Sequence, residues 1–267
     1  MTQQKAQNNM EKSATKRSCC LAVVITSLCG LAAEYVNLTA GVDESGIPIT
    51  GHISVYALSA ICIVSVIIYI LLSRGLPRRT TRKESISFSF PMMLCGMVSA
   101  LLLLCDSLIT LLTGSGAISL ILGLLGILGS VGLFLASAIF GGYLRRNPAP
   151  GLVACTYLVV RLMLNFKEWS TDPIILDYFV LLFALAFSLL GIYRCFGFDF
   201  GLGRPRQTLF HSCAAIFFCA LALLRGLMTG SVSTILTFLG LLLWFPPLLS
   251  SLFSAPSDEI CQQDEQA

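Results

Sequence analysis

The chain has 267 residues, 56% of them hydrophobic and only 12% charged, with a formal net charge of +3 and a mean hydropathy of +0.85. A soluble domain carries about 25% charged residues, so this composition excludes a water-soluble fold and makes the bilayer the solvent. The small positive balance gives no case for nucleic-acid binding, and no polar stretch is long enough to form a catalytic or binding domain of its own.

Residues 1–17 read as a polar, basic tail whose composition predicts disorder. A helix that spans a bilayer needs about 20 mostly apolar residues, and eight stretches read as spans: 18–40, 51–73, 88–112, 116–144, 151–166, 173–194, 209–228 and 231–253. The first also has the basic start, apolar run and small-residue site (Gly30-Leu31-Ala32) of a signal peptide, but the apolar run continues past that site, which favours a span. The fourth carries Gly123, Gly126, Gly129 and Gly132, small residues that let helix backbones approach closely in lipid. Gly141–Gly142 follow them, and the length of the stretch predicts a tilt or a break at glycine. The fifth is short and contains Arg161. In the eighth, Pro246–Pro247 predicts a kink or, more simply, the end of the helix. Residues 254–267 form an acidic tail with Asp258, Glu259, Asp264 and Glu265, again expected to be disordered.

The basic residues give the chain an orientation. Of the 17 Lys and Arg residues, fourteen fall on one side of these spans: Lys5, Lys12, Lys16, Arg17, Arg74, Arg78, Arg79, Arg82, Lys83, Arg145, Arg146, Arg194, Arg204 and Arg206. Cytoplasmic loops are enriched in Lys and Arg, so both termini are expected in the cytoplasm. The Asp43–Glu44 loop, the Thr113–Ser115 turn, the Lys167–Asp172 loop and the Gly230 turn then face out. If the fifth stretch did not span, Arg194, Arg204 and Arg206 would face out, against the same rule. The fold class is therefore an all-α, polytopic integral membrane helix bundle of about eight transmembrane helices. Thr113-Gly114-Ser115 before the fourth span and Thr229-Gly230-Ser231 before the eighth suggest a four-plus-four tandem repeat.

Known catalytic constellations are absent: the chain has no GxSxG, HExxH, P-loop or dinucleotide fingerprint. The chain is accordingly read as a non-enzyme, with no cofactor. Its 11 cysteines form no CxxC pair and do not converge with His52 and His211, so no metal site is expected. None of the cysteines falls in an outward loop, so no disulfide framework is expected either.

Charge inside the bilayer is costly, about 2.5–3.5 kcal/mol per residue at a helix centre on insertion scales. The chain keeps five such residues: Glu34, Asp106, Arg161, Asp177 and Arg225. All five read to the outer half of their spans, where three acids and two bases can form an outward-facing polar cluster rimmed by Asn165, Lys167, Glu168, Trp169 and Asp172. Arg161 is the deepest, and a guanidinium there is suited to anchor a carboxylate or phosphate. The expected function is binding or transport of a small anionic or zwitterionic solute from the outer face. The alternative is a structural, sensory or assembly protein whose ion pairs only hold helices together. Beyond the lipid bilayer itself, the expected partners are that solute and an unidentified membrane or cytoplasmic partner.

The segment Arg161-Leu-Met-Leu-Asn165-Phe-Lys-Glu-Trp169-Ser-Thr-Asp172-Pro173-Ile-Ile-Leu-Asp177-Tyr resembles one found in uncharacterised multi-pass membrane proteins of anaerobic Gram-positive bacteria. The resemblance covers the fifth span, its outer loop and the start of the sixth. It implies a bacterial cytoplasmic membrane and brings no activity with it.

Overall fold

In a computed structural model, the structure describes residues 2–41, 52–76, 90–144, 147–169, 178–200 and 203–254, with side chains left out at 2–16, 168, 169 and 254. Eight helices account for most of them: α1 (Thr2–Ala40), α2 (Ile53–Ser73), α3 (Phe90–Thr113), α4 (Ala117–Phe140), α5 (Ala149–Trp169), α6 (Phe179–Gly197), α7 (Pro205–Thr229) and α8 (Val232–Ser254). Each has a segment long and apolar enough to cross a membrane, so the protein is a multi-pass membrane protein.

Helix ends follow from local chemistry. The α4 helix stops at Phe140, short of the expected 144, because Gly142 takes the left-handed conformation (φ 79°) that L side chains avoid. Tyr143 N–H then donates to Ala138 O and Gly142 N–H to Ile139 O, both at 3.1 Å; this paired closure satisfies carbonyls that would otherwise be bare in lipid. Gly230 (φ 68°) ends α7 in the same conformation. The α5 helix is longer than expected. It starts at Ala149, whose N–H binds Asn147 Oδ1 at 3.0 Å, and it reaches the length of a span despite Arg161.

Three sequence expectations are corrected. The basic tail is not disordered throughout, since α1 begins at Thr2 and carries the helix well below its span, which starts at Arg17. The α8 helix does not end at Pro246–Pro247 but continues to Ser254. Phe245, Leu248, Leu249 and Leu252 are buried on either side of the prolines, so packing holds the helix through the two lost hydrogen bonds. The third concerns the tandem repeat. A four-plus-four duplication would give α1–α4 the same neighbours as α5–α8. Instead α4 packs broadly on α5 while its counterpart pair, α8 and α1, barely meets, and α6 packs on α7 while α2 and α3 are not closely packed among the described residues. The acidic tail beyond Ser254 lies outside the described residues.

The helices alternate in direction. Contacts between α3 and α8 run oppositely along the two chains, from Gly96 on Trp244 to Asp106 on Thr237, as antiparallel neighbours must. Between α1 and α7 they advance together, from Cys19–Cys213 through Gly30–Phe217 to Glu34–Arg225, so these two odd-numbered helices are parallel. Eight alternating helices place the start of α1 and the end of α8 on one face, here the terminal face. The C-terminal ends of α1, α3, α5 and α7 lie on the other, the distal face.

Six helices, α3 to α8, form a closed circuit in which each packs on the next and α8 packs back on α3. The α1–α2 hairpin lies outside this circuit, against α7. Toward the terminal face aromatic side chains fill the circuit: the Phe140 ring meets Phe196 at 5.8 Å and Trp244 at 6.0 Å, and Phe245 packs on Gly191. The outer surface is the reverse of a soluble protein's. Leu21, Ile25, Leu28, Ile63, Ile67 and Leu71 are exposed, as lipid contact requires, while Glu34, Asp106, Ser99 and Ser188 are fully buried.

Candidate functional site

The α4 glycines set the position of α5. A Cβ at Gly129 would stand 2.7 Å from Tyr157 Cβ, closer than real Cβ contacts come, and Gly126 lies against Ser107 and the same tyrosine ring. Only bare backbone lets Tyr157 enter this seam. Tyr157 is one helical turn before Arg161, so both side chains lie on one face of α5, and both are buried.

From α5, Arg161 reaches two helices that α5 does not closely pack against. Its Nη1 donates to Asp106 Oδ2 on α3 and to the Tyr157 hydroxyl. Its Nη2 lies 3.4 Å from Ser233 Oγ on α8. Asp106 is completely buried. Besides Arg161 it accepts from Thr237 Oγ1 at 2.9 Å on Oδ2 and from Ser233 Oγ on Oδ1. A carboxylate so placed has donors on both oxygens, and a guanidinium so placed has its charge matched. The result is a neutral polar centre joining α3, α5 and α8 through the inside of the circuit, on the distal side of the aromatic fill.

The second ion pair differs in kind. Arg225 Nε on α7 donates to Glu34 Oε1 on α1 at 2.8 Å, with side chains 6% and 0% exposed. These two helices are directly packed, and the pair continues a seam that starts at Cys19–Cys213 (Sγ–Sγ 3.8 Å) and passes through Gly30 on Phe217. Next to it the Tyr69 hydroxyl meets Thr26 Oγ1 and ties α2 to α1. At the distal end of the hairpin, Ser54 Oγ donates to Asn37 Oδ1 at 3.0 Å, and His52 caps α2.

The single outer cluster expected from the sequence is therefore divided. Arg161 and Asp106 meet; Glu34 and Arg225 pair with one another at the α1–α7 seam. Asn165 is half-buried one turn beyond Arg161, outside its hydrogen-bond network. Lys167 is exposed near the distal end of α5. Glu168 and Trp169 close α5, but their side chains lie outside the described residues, as do Asp172 and Asp177 altogether. Three members of the centre were missed in the sequence: Tyr157, Ser233 and Thr237. Their signal is spacing. Tyr157 precedes Arg161 by four, and Ser233 and Thr237 are themselves four apart, a short hydroxyl stripe near the start of α8.

Among the described residues, no group of three or more His, Cys, Asp or Glu side chains is placed to hold a metal ion. In comparisons with known proteins, no family model, no curated protein and no solved structure matches this chain.

Proposed function

We propose that the protein binds a small anionic or zwitterionic solute at the Asp106–Arg161 centre and carries it across the membrane without catalysing a reaction. One observation carries this reading. Arg161 reaches from α5 to α3 and α8, neither of which α5 packs closely against, whereas the Glu34–Arg225 pair joins direct neighbours. A pair between neighbours is what helix association needs. A guanidinium held across the inside of a helix circuit, one carboxylate away from being free, is what an anion site needs. A solute anion would take the place of Asp106 at Arg161, and a solute ammonium would take the place of Arg161 at Asp106.

The distribution of Lys and Arg supports a cytoplasmic terminal face and an outward distal face, so the centre is nearer the outside. The resemblance of the α5 segment supports a bacterial plasma membrane. A second reading has an observation of its own: Asp106 is fully buried with donors on both oxygens, as a purely structural centre would be.

Thermal unfolding in detergent, with a panel of small carboxylates, phosphate and amino acids, separates the two. A compound that raises the melting temperature of the wild type and not of Arg161→Gln supports solute binding. If no compound raises it and Arg161→Gln only melts earlier, the structural reading replaces this one.

A further inference from the structure

The charges at the centre narrow the class of solute. Asp106 faces Arg161 from α5, itself bonded to the Tyr157 hydroxyl, and the hydroxyls of Ser233 and Thr237 from α8. The α4 helix, also packed on α3, has no titratable residue, and neither has α8. The centre thus holds one positive and one negative charge and is neutral at rest. A monoanion that displaced Asp106 from the guanidinium would leave two anions beside one cation, in a place removed from water, and that arrangement is strongly disfavoured. One proton on Asp106 restores neutrality.

The partners of Asp106 suit that exchange. Ser233 and Thr237 donate to the carboxylate now, but a hydroxyl also accepts. Each can therefore turn to receive a hydrogen bond from the protonated acid without moving its helix. Arg161 has no such freedom, since it only donates. A dianion would need two compensating charges, and the centre has one carboxyl. A zwitterion would bring its own cation and need no proton.

Resting on the solute-binding reading above, we infer that the solute is a monocarboxylate and that it binds together with one proton from water, which Asp106 accepts. The carboxylate takes the Asp106 position at Arg161, the O–H bond forms on Asp106, and the net charge of the centre stays zero. Carried across the membrane, the pair moves as an electroneutral acid.

The test is calorimetric titration of the purified protein with L-lactate, acetate, benzoate and glycine at pH 6, 7 and 8, in two buffers of different ionisation enthalpy. The three carboxylates stay ionised in this range, so any proton taken up belongs to the protein. Binding of a carboxylate with uptake of one proton, and a Kd that rises about tenfold per pH unit, is the expected result. Asp106→Asn, which mimics the protonated acid, should bind with a Kd that does not change with pH. A wild-type Kd independent of pH overturns the inference and leaves the solute-binding reading intact, as does binding of glycine alone. Absence of binding by the three carboxylates overturns the inference, and the solute-binding reading falls with it only if phosphate and the amino acids of the melting panel also fail to bind. The wild-type slope and proton count decide the matter even if Asp106→Asn does not fold.

Discussion

Replacing Glu34 with Leu removes the carboxylate that Arg225 Nε binds at 2.8 Å, beside a guanidinium whose side chain is 6% exposed. Breaking a buried pair from one side costs about 3–5 kcal/mol, because the remaining charge stays buried. For a chain of this size each kcal/mol corresponds to about 2–4 °C in Tm, so Glu34→Leu should melt some 6–20 °C below the wild type. Adding Arg225→Leu removes the buried charge as well and fills the seam with apolar side chains, and double replacement of a buried pair is often neutral or better. The double variant should therefore return to within about 1 kcal/mol of the wild type. The assay is thermal or denaturant unfolding in one detergent, followed by circular dichroism. A double variant as unstable as Glu34→Leu would refute the pairing and the parallel α1–α7 seam with it.

Gly129→Ala would place a methyl 2.7 Å from Tyr157 Cβ, a rigid part of the side chain. Overpacking of this kind costs about 1–3 kcal/mol, so a drop in stability is expected in the same unfolding assay; a variant as stable as the wild type would contradict the α4–α5 seam. Cys19 and Cys213, with Sγ atoms 3.8 Å apart, should cross-link when membranes are treated with a membrane-permeant oxidant such as copper-phenanthroline. After denaturation, two thiols fewer should react with a maleimide label, and Cys19→Ser or Cys213→Ser should each abolish that difference. An unchanged thiol count in the wild type would argue against the placement of α1 on α7.

The spans were legible in the sequence because hydropathy is a property of a window along one chain. A break at glycine was legible from the length of the fourth span, but which of its glycines would turn left-handed was not; it is Gly142. The eighth helix misled, because the effect of Pro246–Pro247 depends on what packs around it, and Phe245, Leu248 and Leu249 are held by other helices. The same divide runs through the site. Glu34, Asp106, Arg161 and Arg225 stand out as charges in apolar runs, but depth alone put them in one cluster. Their pairing depends on the rotation of each helix about its axis and on its choice of neighbour. Those are set by contacts such as Gly129 on Tyr157 and Gly30 on Phe217, which have no local signature.

The α1–α2 hairpin rests mainly on α7, and this has a consequence for synthesis. Glu34 and Arg225 are 191 residues apart. At about 5–20 residues per second, α1 waits roughly 10–40 s for the helix that completes its seam. Asp106 waits a shorter time for Arg161, 55 residues later. In both pairs the acid is made first and the base second. A carboxyl can wait in lipid as the neutral acid, whereas a guanidinium keeps its charge. The order of the chain thus lets each arginine enter a membrane that already holds its counter-ion.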